Sequence, residues 1–227
     1  MIIFSFLTKI LHYLPGELSH SIALNGLKLM HSVGFLRFIN INAKKPDFTE
    51  RDIRKRKDML GIAAGLDKNG EYIDCLSSLG LGFIEVGTVT PKPQKGNPRP
   101  RIFRNKKEKS LLNRLGFNNK GVDYLVESLK NKKSKIIVGS SIGKNFDTPN
   151  TKAHEDYIYC LEKVYEFSDY IAVNISSPNT KDLRNLSGKD FFDYLLKELK
   201  DSQTKLSIRF GYKPIFVKIS PDETLEN

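Results

Sequence analysis

Five short apolar runs, separated by amphipathic stretches, set the tightest limit on what this chain can fold into. The runs are GIAAGL (61–66), GFIEVGTVT (82–90), IIVGSSIG (136–143), YIAVNISS (170–177) and PIFVKIS (214–220). They are rich in β-branched residues and apolar on both faces, the pattern of parallel strands covered by helices. Helical periodicity falls between them, near 69–79, 119–133, 151–167 and 188–206. Strand then helix, repeated, predicts a parallel α/β fold. No internal repeat of fixed period and no low-complexity tract interrupts it.

Each run ends in polar or glycine-rich residues: AGLDKNG, GTVTP, SIGKN, NISSPNT and KISPD. Side chains capable of chemistry therefore gather at the carboxyl ends of the strands. A (β/α)₈ barrel places its site there, and so does an open doubly wound sheet. The residue pattern leaves both architectures open.

Residues 1–40 have a different character. Ile2, Ile3, Phe6, Leu7, Ile10, Leu11 and Leu14 form an apolar stripe at helical spacing. After Pro15-Gly16, Leu18, Ile22, Leu27, Leu29 and Met30 continue a second helix. Two such helices either pack on the following domain or form a hydrophobic platform that rests on a bilayer. The division expected is 1–40 as an amphipathic helical segment and 41–227 as the α/β domain. No stretch reaches the roughly 18 to 20 apolar residues of a membrane-spanning helix. The start lacks a basic lead-in and a small-residue cleavage site, so it reads poorly as a secretory signal.

The net charge of +11 is mostly scattered lysine, densest at Arg51, Arg54, Lys55, Arg56 and Lys57. A solvated surface or acidic lipid headgroups suit this run. Nucleic acid does not, because no aromatic residues are interleaved as stacking platforms. Cys75 and Cys160 lack metal-ligand spacing and read as buried free thiols, and no metal site is expected.

The strand ends carry the candidate site. In AAGLDKNG, the small Ala63, Ala64 and Gly65 let a flat ligand approach the backbone. Lys68 places a cation beside an electron-rich ring or an anionic substrate. Thr88 and Thr90 offer hydroxyls ahead of a long proline-rich, basic loop. Asn113, Arg114, Leu115, Gly116 and Phe117 set an amide, a guanidinium and an aromatic ring on a loop before a helix, and Asn113 can both donate and accept. Asn174, Ser177, Asn179 and Thr180 crowd one turn stiffened by Pro178. A serine needs an acceptor for its proton. None of His12, His20, His31 and His154 sits beside a strand end, and no Gly-x-Ser-x-Gly elbow is present, which argues against a hydrolase triad. Any relay from Ser177 must run through water or a hydroxyl such as Thr180. Lys218 emerges from an apolar strand, a costly position unless it meets an anion or solvent.

AAGLDKNGE, IEVGTVTPKPQKGNPRPRIFR, NRLGFNNKGVD, IGKNFDTPN, VNISSPNT and VKISPD follow one another in a single order over residues 60 to 222. The ordered set resembles the dihydroorotate dehydrogenase family. Serine where the family's cytosolic class uses cysteine, with the amphipathic start, resembles class 2, the quinone-linked form. The resemblance implies a (β/α)₈ TIM barrel, of which five strands are visible here against eight in a closed barrel. It implies FMN as cofactor and oxidation of dihydroorotate to orotate, with a membrane quinone as final oxidant. Ser177 would take the proton from C5 while a hydride leaves C6 for N5 of FMN. Lys68, Asn113, Asn174 and Asn179, with the Arg114–Phe117 stretch, would hold the substrate. Ala64, Gly65, Leu66, Asp67, Lys68, Thr88, Asn174 and Lys218 would hold the flavin. Phe117 and Thr180 would help the Ser177 proton escape, and 180–188 would form a lid. The quinone would reach FMN by a passage under residues 1–30, and the protein would lie peripherally on the cytoplasmic face of a membrane, the inner one in a bacterium.

One position departs from the family. Ser141 stands where an asparagine usually touches FMN, and a hydroxyl replaces only one of its contacts. On the family's pattern further strands would follow Asn227: as a whole product this chain is expected to be unstable and inactive, and as part of a longer protein its parent is expected to be active. The competing readings are a catalytically incompetent partial barrel and a basic surface-binding module at 44–57.

Overall fold

The computed structural model describes residues 9–38, 52–55, 60–176 and 189–220 of the 227. All five apolar runs become strands, and they pair in parallel in one sheet. These are β1 (Gly61–Ile62), β2 (Phe83–Val89), β5 (Ile137–Ile142), β6 (Tyr170–Asn174) and β7 (Ile215–Lys218). Their order in space is their order in the chain, β1-β2-β5-β6-β7, with no reversal among the described strands. A doubly wound sheet reverses at its switch point. The fold is α/β with a parallel sheet.

The helices fall where the periodicity predicts: α1 (Gly16–Ser32), α2 (Ile73–Ser77), α3 (Val122–Asn131), α4 (Ala153–Val164) and α5 (Lys189–Phe210). In α3 the buried residues are Val122, Leu125, Val126 and Leu129; in α4 they include Tyr157, Cys160, Leu161 and Val164. That spacing of three and four turns one stripe toward the sheet. Each fully buried aliphatic side chain contributes about 1.5–3 kcal/mol. Ile84, Val86, Val138, Ile171 and Val173 meet these helices in the main core. Both cysteines are free thiols in the interior, and burial pushes the Cys75 thiol up to about 11.

The other face of the sheet holds a smaller cluster of Ile137, Tyr170 and Ala172, against which Phe83 and Ile53 pack. The Tyr170 ring stands edge-on to Phe83 at 6.5 Å and to Phe216 at 5.5 Å. It lies across Gly139, where a Cβ would sit 2.1 Å from Tyr170 Cζ. Only glycine admits the ring at that position.

The proline-rich stretch expected to be one long loop contains an antiparallel hairpin, β3 (Ile102–Asn105) and β4 (Ser110–Asn113), in register Ile102 to Asn113. Its four-residue strands are largely solvent-exposed, so no core face imposes a visible alternation on the sequence. Asn113 therefore ends a strand, and is not part of a loop preceding a helix.

Helix α1 docks on this hairpin and on the loop after β1. Glu17 binds the buried Arg101 through Nε at 3.0 Å and Nη2 at 2.8 Å, and Arg99 at 2.9 Å. The basic partners outweigh desolvation and hold the Glu17 carboxyl below its usual range. Tyr72 donates to Asn25 at 3.1 Å, and the His20 ring nitrogen lies 2.7 Å from the Leu66 carbonyl oxygen. Leu24 is buried and Leu27 packs on the core. Leu18, Ile22 and Leu29 remain exposed and at 100° per residue share the opposite side of α1, and Val33 just beyond its end is exposed too. No helix among the described residues is long and apolar enough to cross a membrane.

Candidate active site at the strand ends

The loop after β1 is stitched to β2 by backbone bonds, Gly65 N–H to the Gly87 carbonyl at 2.8 Å and Gly87 N–H to the Asp67 carbonyl at 3.2 Å. Asp67 is buried, and its carboxylate accepts the amides of Glu71 at 2.9 Å and Tyr72 at 2.8 Å just ahead of α2. Desolvation pushes its pKa up and these bonds oppose the shift. Its side chain is thus spent on the fold, and its carbonyl on Gly87. Leu66 is partly exposed, with its carbonyl at His20. Gly65, at φ +111°, has nothing within 4 Å of where a Cβ would stand, which keeps the loop open to a flat group.

Lys68 reaches back over this loop and donates to the Gly65 carbonyl at 2.8 Å. Burial lowers its pKa, helped by the charge of Arg101 and opposed by Glu17 and Asp67. Among the described residues this half-buried ammonium has that one carbonyl as hydrogen-bond acceptor, which leaves it able to receive an anion.

At the next strand ends three side chains join. Asn174 Nδ2 donates to Thr88 Oγ1 at 3.1 Å, and Thr88 Oγ1 lies 2.9 Å from Ser141 Oγ. Among the described residues the two hydroxyls carry two protons and use one between them, which leaves one to donate to a ligand. Tyr157, fully buried in α4, donates to the Asn174 carbonyl at 2.9 Å and fixes that strand end from behind. The Asn174 amide oxygen accepts from the Ser176 backbone at 3.2 Å.

Phe117 joins the group from the far side. A Cβ on Gly143 would lie 2.9 Å from Thr88 Cγ2 and 3.1 Å from the Phe117 ring, so the ring rests against Gly143 beside Thr88. Gly116 at φ +68° and Phe117 at φ +51° turn the chain from the hairpin to the strand ends. A bulky residue in the left-handed region costs on the order of 1–3 kcal/mol, and its neighbours must enforce it. Asn119 does so, donating to the Phe117 carbonyl at 2.7 Å and to Thr90 Oγ1 at 2.9 Å, while its oxygen accepts from Gly121 N–H at 2.7 Å. Asn145 braces the same loop through Thr90 Oγ1 at 3.1 Å and Gln94 Oε1 at 2.9 Å. Asn119, Asn145 and Gln94 were not expected to matter, since nothing in their spacing marks them.

Lys218 points to the sheet face that carries Tyr170, where its ammonium meets Glu85 Oε1 at 2.8 Å. Glu85 also escaped the sequence reading, although an acid in the middle of GFIEVGTVT was a usable signal. Asn113 and Arg114 lie on the hairpin side. The Arg114 guanidinium donates to the Pro100 carbonyl at 3.0 and 3.2 Å and stacks over Phe103. The expected site therefore divides: Ala64 to Lys68, Phe117, Thr88, Ser141 and Asn174 meet at the strand ends, with Lys218 beside Asn174 in register. Asn113 and Arg114 hang on the hairpin. Ser177, Asn179, Thr180 and the loop 180–188 lie outside the described residues.

A parallel α/β sheet with cations, amides and hydroxyls at its carboxyl ends places this chain in the α/β class that carries its ligand sites at that edge. The particular family follows from comparison. A family model described as dihydroorotate dehydrogenase matches residues 54–227, and the chain belongs to that family. It is 47% identical over 226 residues to the dihydroorotate dehydrogenase (quinone) of Acinetobacter baylyi, covering 99% of this chain and 66% of that protein. The Coxiella burnetii protein of the same name is 48% identical over 229 residues, with 99% and 65% covered. The chain thus spans a little under two thirds of these relatives. Among solved structures, the Eimeria tenella DHODH in complex with ferulenol superposes with TM-score 0.72 at 34% identity, over 92% of this chain and 60% of that one. The ligand-free form gives 0.75 at 34%, over 90% and 62%.

Proposed function

We propose that this chain carries the flavin- and substrate-binding strand ends of an FMN-dependent, quinone-linked dihydroorotate dehydrogenase of pyrimidine biosynthesis. The observation that carries the reading is the joining of Thr88, Ser141 and Asn174 by hydrogen bonds at consecutive strand ends, with Lys218 and Lys68 beside them. The unreversed strand order supports an arc of a (β/α)₈ barrel, with 41–227 as the barrel portion.

The residues fit FMN. The open room beside Gly65 suits a flat ring, and the spare hydroxyl proton of the Thr88–Ser141 pair suits its polar edge. Bound there, FMN supplies the acceptor for the hydride that leaves C6 of dihydroorotate. Lys218 sets positive charge beside the ring, and Lys68 meets the substrate carboxylate. Asn174, Asn179 and Asn113 hold the substrate ring and its carboxylate edge. Ser177 takes the proton at C5, with Phe117 and Thr180 helping that proton to escape. Ser141 offers a single hydroxyl, so the flavin edge it faces is held by fewer bonds than a carboxamide would make.

Helix α1 supports the reading of 1–40 as a membrane and quinone segment, which this reading assigns to the cytoplasmic face. It is anchored by Leu24, Leu27 and Glu17 on one side and bare at Leu18, Ile22 and Leu29 on the other. A basic surface module gains less support, because Arg54 is already held by Asp52 through Nε at 2.9 Å and Nη2 at 2.7 Å. The test is anaerobic addition of dihydroorotate to the FMN-loaded full-length protein. Bleaching of the flavin absorption is expected; an unchanged spectrum in that form refutes the assignment.

A further inference from the structure

Glu85 is an acid placed in the middle of an apolar strand and only 8% exposed. Burying a carboxylate there costs several kcal/mol unless it is paired and hydrogen-bonded. Both oxygens are provided for: Oε1 receives Lys218 Nζ at 2.8 Å, and Oε2 receives the Tyr170 hydroxyl at 3.3 Å. The sheet is built to allow it. Gly139 lies opposite Glu85 on one side and Tyr170 on the other. Because Gly139 has no side chain, the Tyr170 ring crosses it to reach the acid. Ala172, on the same face of β6, is also small, leaving the span between Lys218 and Glu85 open.

Stability does not explain this arrangement, since an apolar pair of similar volume would hold the strands as well or better. The position of Lys218 does. In register it pairs with Asn174, whose amide belongs to the hydroxyl group at the strand ends. Its ammonium therefore stands between the ligand level and a fixed negative charge beneath it. That charge pins the ammonium and cancels part of its field.

We propose that Glu85 is a positioning residue which, through Lys218, sets how strongly the site favours the reduced, electron-rich form of the flavin. This rests on the FMN reading above. A bare ammonium beside the ring would stabilise added electrons strongly, and the carboxylate moderates that pull while Tyr170 draws off some of its charge.

The test uses the FMN-loaded protein and its flavin midpoint potential, measured by equilibration with redox dyes. Glu85→Gln keeps the shape: the amide oxygen still accepts from Lys218, and the amide nitrogen donates to the Tyr170 hydroxyl. Removing the charge is expected to shift the equilibrium about tenfold toward reduced flavin, about 30 mV more positive for a two-electron couple, with FMN retained. Tyr170→Phe deletes one donor to the acid and is expected to shift the equilibrium two- to threefold the other way. A Glu85→Gln potential that is unchanged or more negative, or loss of FMN from that variant, overturns the proposal. Should Glu85→Gln not fold, a Tyr170→Phe potential that is unchanged or more positive overturns it too. Absence of FMN from the wild type would instead refute the cofactor assignment, so the two failures are distinguishable.

Discussion

A methyl group on Gly139 should be among the most damaging small changes in this chain. Gly139→Ala puts Cβ 2.1 Å from Tyr170 Cζ, against the 3.4 Å of ordinary contact, so the ring must move by about 1.3 Å. It has little room to do so, being 3% exposed and held between Phe83 and Phe216. Overpacking of this kind costs about 1–3 kcal/mol. Displacing the ring also breaks the bond to Glu85 and leaves a buried hydroxyl unpaired, a further loss of about 1–3 kcal/mol. The lost flexibility of glycine returns about 0.5–1 kcal/mol. The net expectation is a destabilisation of about 3 kcal/mol, taken from the middle of those ranges. Urea denaturation measures it, and a double-mutant cycle isolates the cause. In a Tyr170→Ala background the clash is gone, so Gly139→Ala should be neutral or slightly stabilising. An equal cost in both backgrounds would refute the steric argument.

Three other expectations follow from the same geometry. Ser177→Ala should retain FMN yet slow flavin reduction by dihydroorotate on the order of 10²–10⁴-fold in stopped flow, the usual worth of a general base; equal rates would remove the serine from that role. Burial holds the Lys68 pKa below its usual 10.5, so its folded state disfavours the proton. Its charge therefore costs stability at neutral pH, and the cost fades as pH rises through the lowered pKa. Lys68→Met should then stabilise the ligand-free protein at pH 7, lose that advantage above the folded pKa and fail to bind orotate; a destabilised variant in urea melts at pH 7 contradicts this. Replacing Leu18, Ile22 and Leu29 together by lysine should leave α1 folded, because Leu24 and Leu27 anchor its other side, but abolish cosedimentation with vesicles of neutral lipid. Undiminished vesicle binding would show that this face does not meet the bilayer.

Much of the architecture could be read directly. A run such as IIVGSSIG must be covered on both faces, so strand and helix alternate whatever the details, and Ile137–Ile142 is indeed wholly buried. The hairpin at 102–113 was missed because its short, exposed strands bury too little to impose a pattern. The departure at Ser141 was visible as a residue, but its partner was not. A hydroxyl shows no preference in sequence between a ligand, a neighbour and water.

The chain's own order of residues decided the fold class, the strand segments and the fact that polar groups collect at their carboxyl ends, because periodicity and composition act locally. Partnership was decided only by the assembled sheet. Thr88 meets Ser141 across 53 residues, and Asn174 meets Thr88 across 86. Glu85 and Lys218 are 133 apart. An alternation of period two says which face a side chain takes, but strand order and register choose what stands opposite it. In this protein that choice runs through Gly139, whose missing side chain lets Tyr170 reach the acid that holds Lys218.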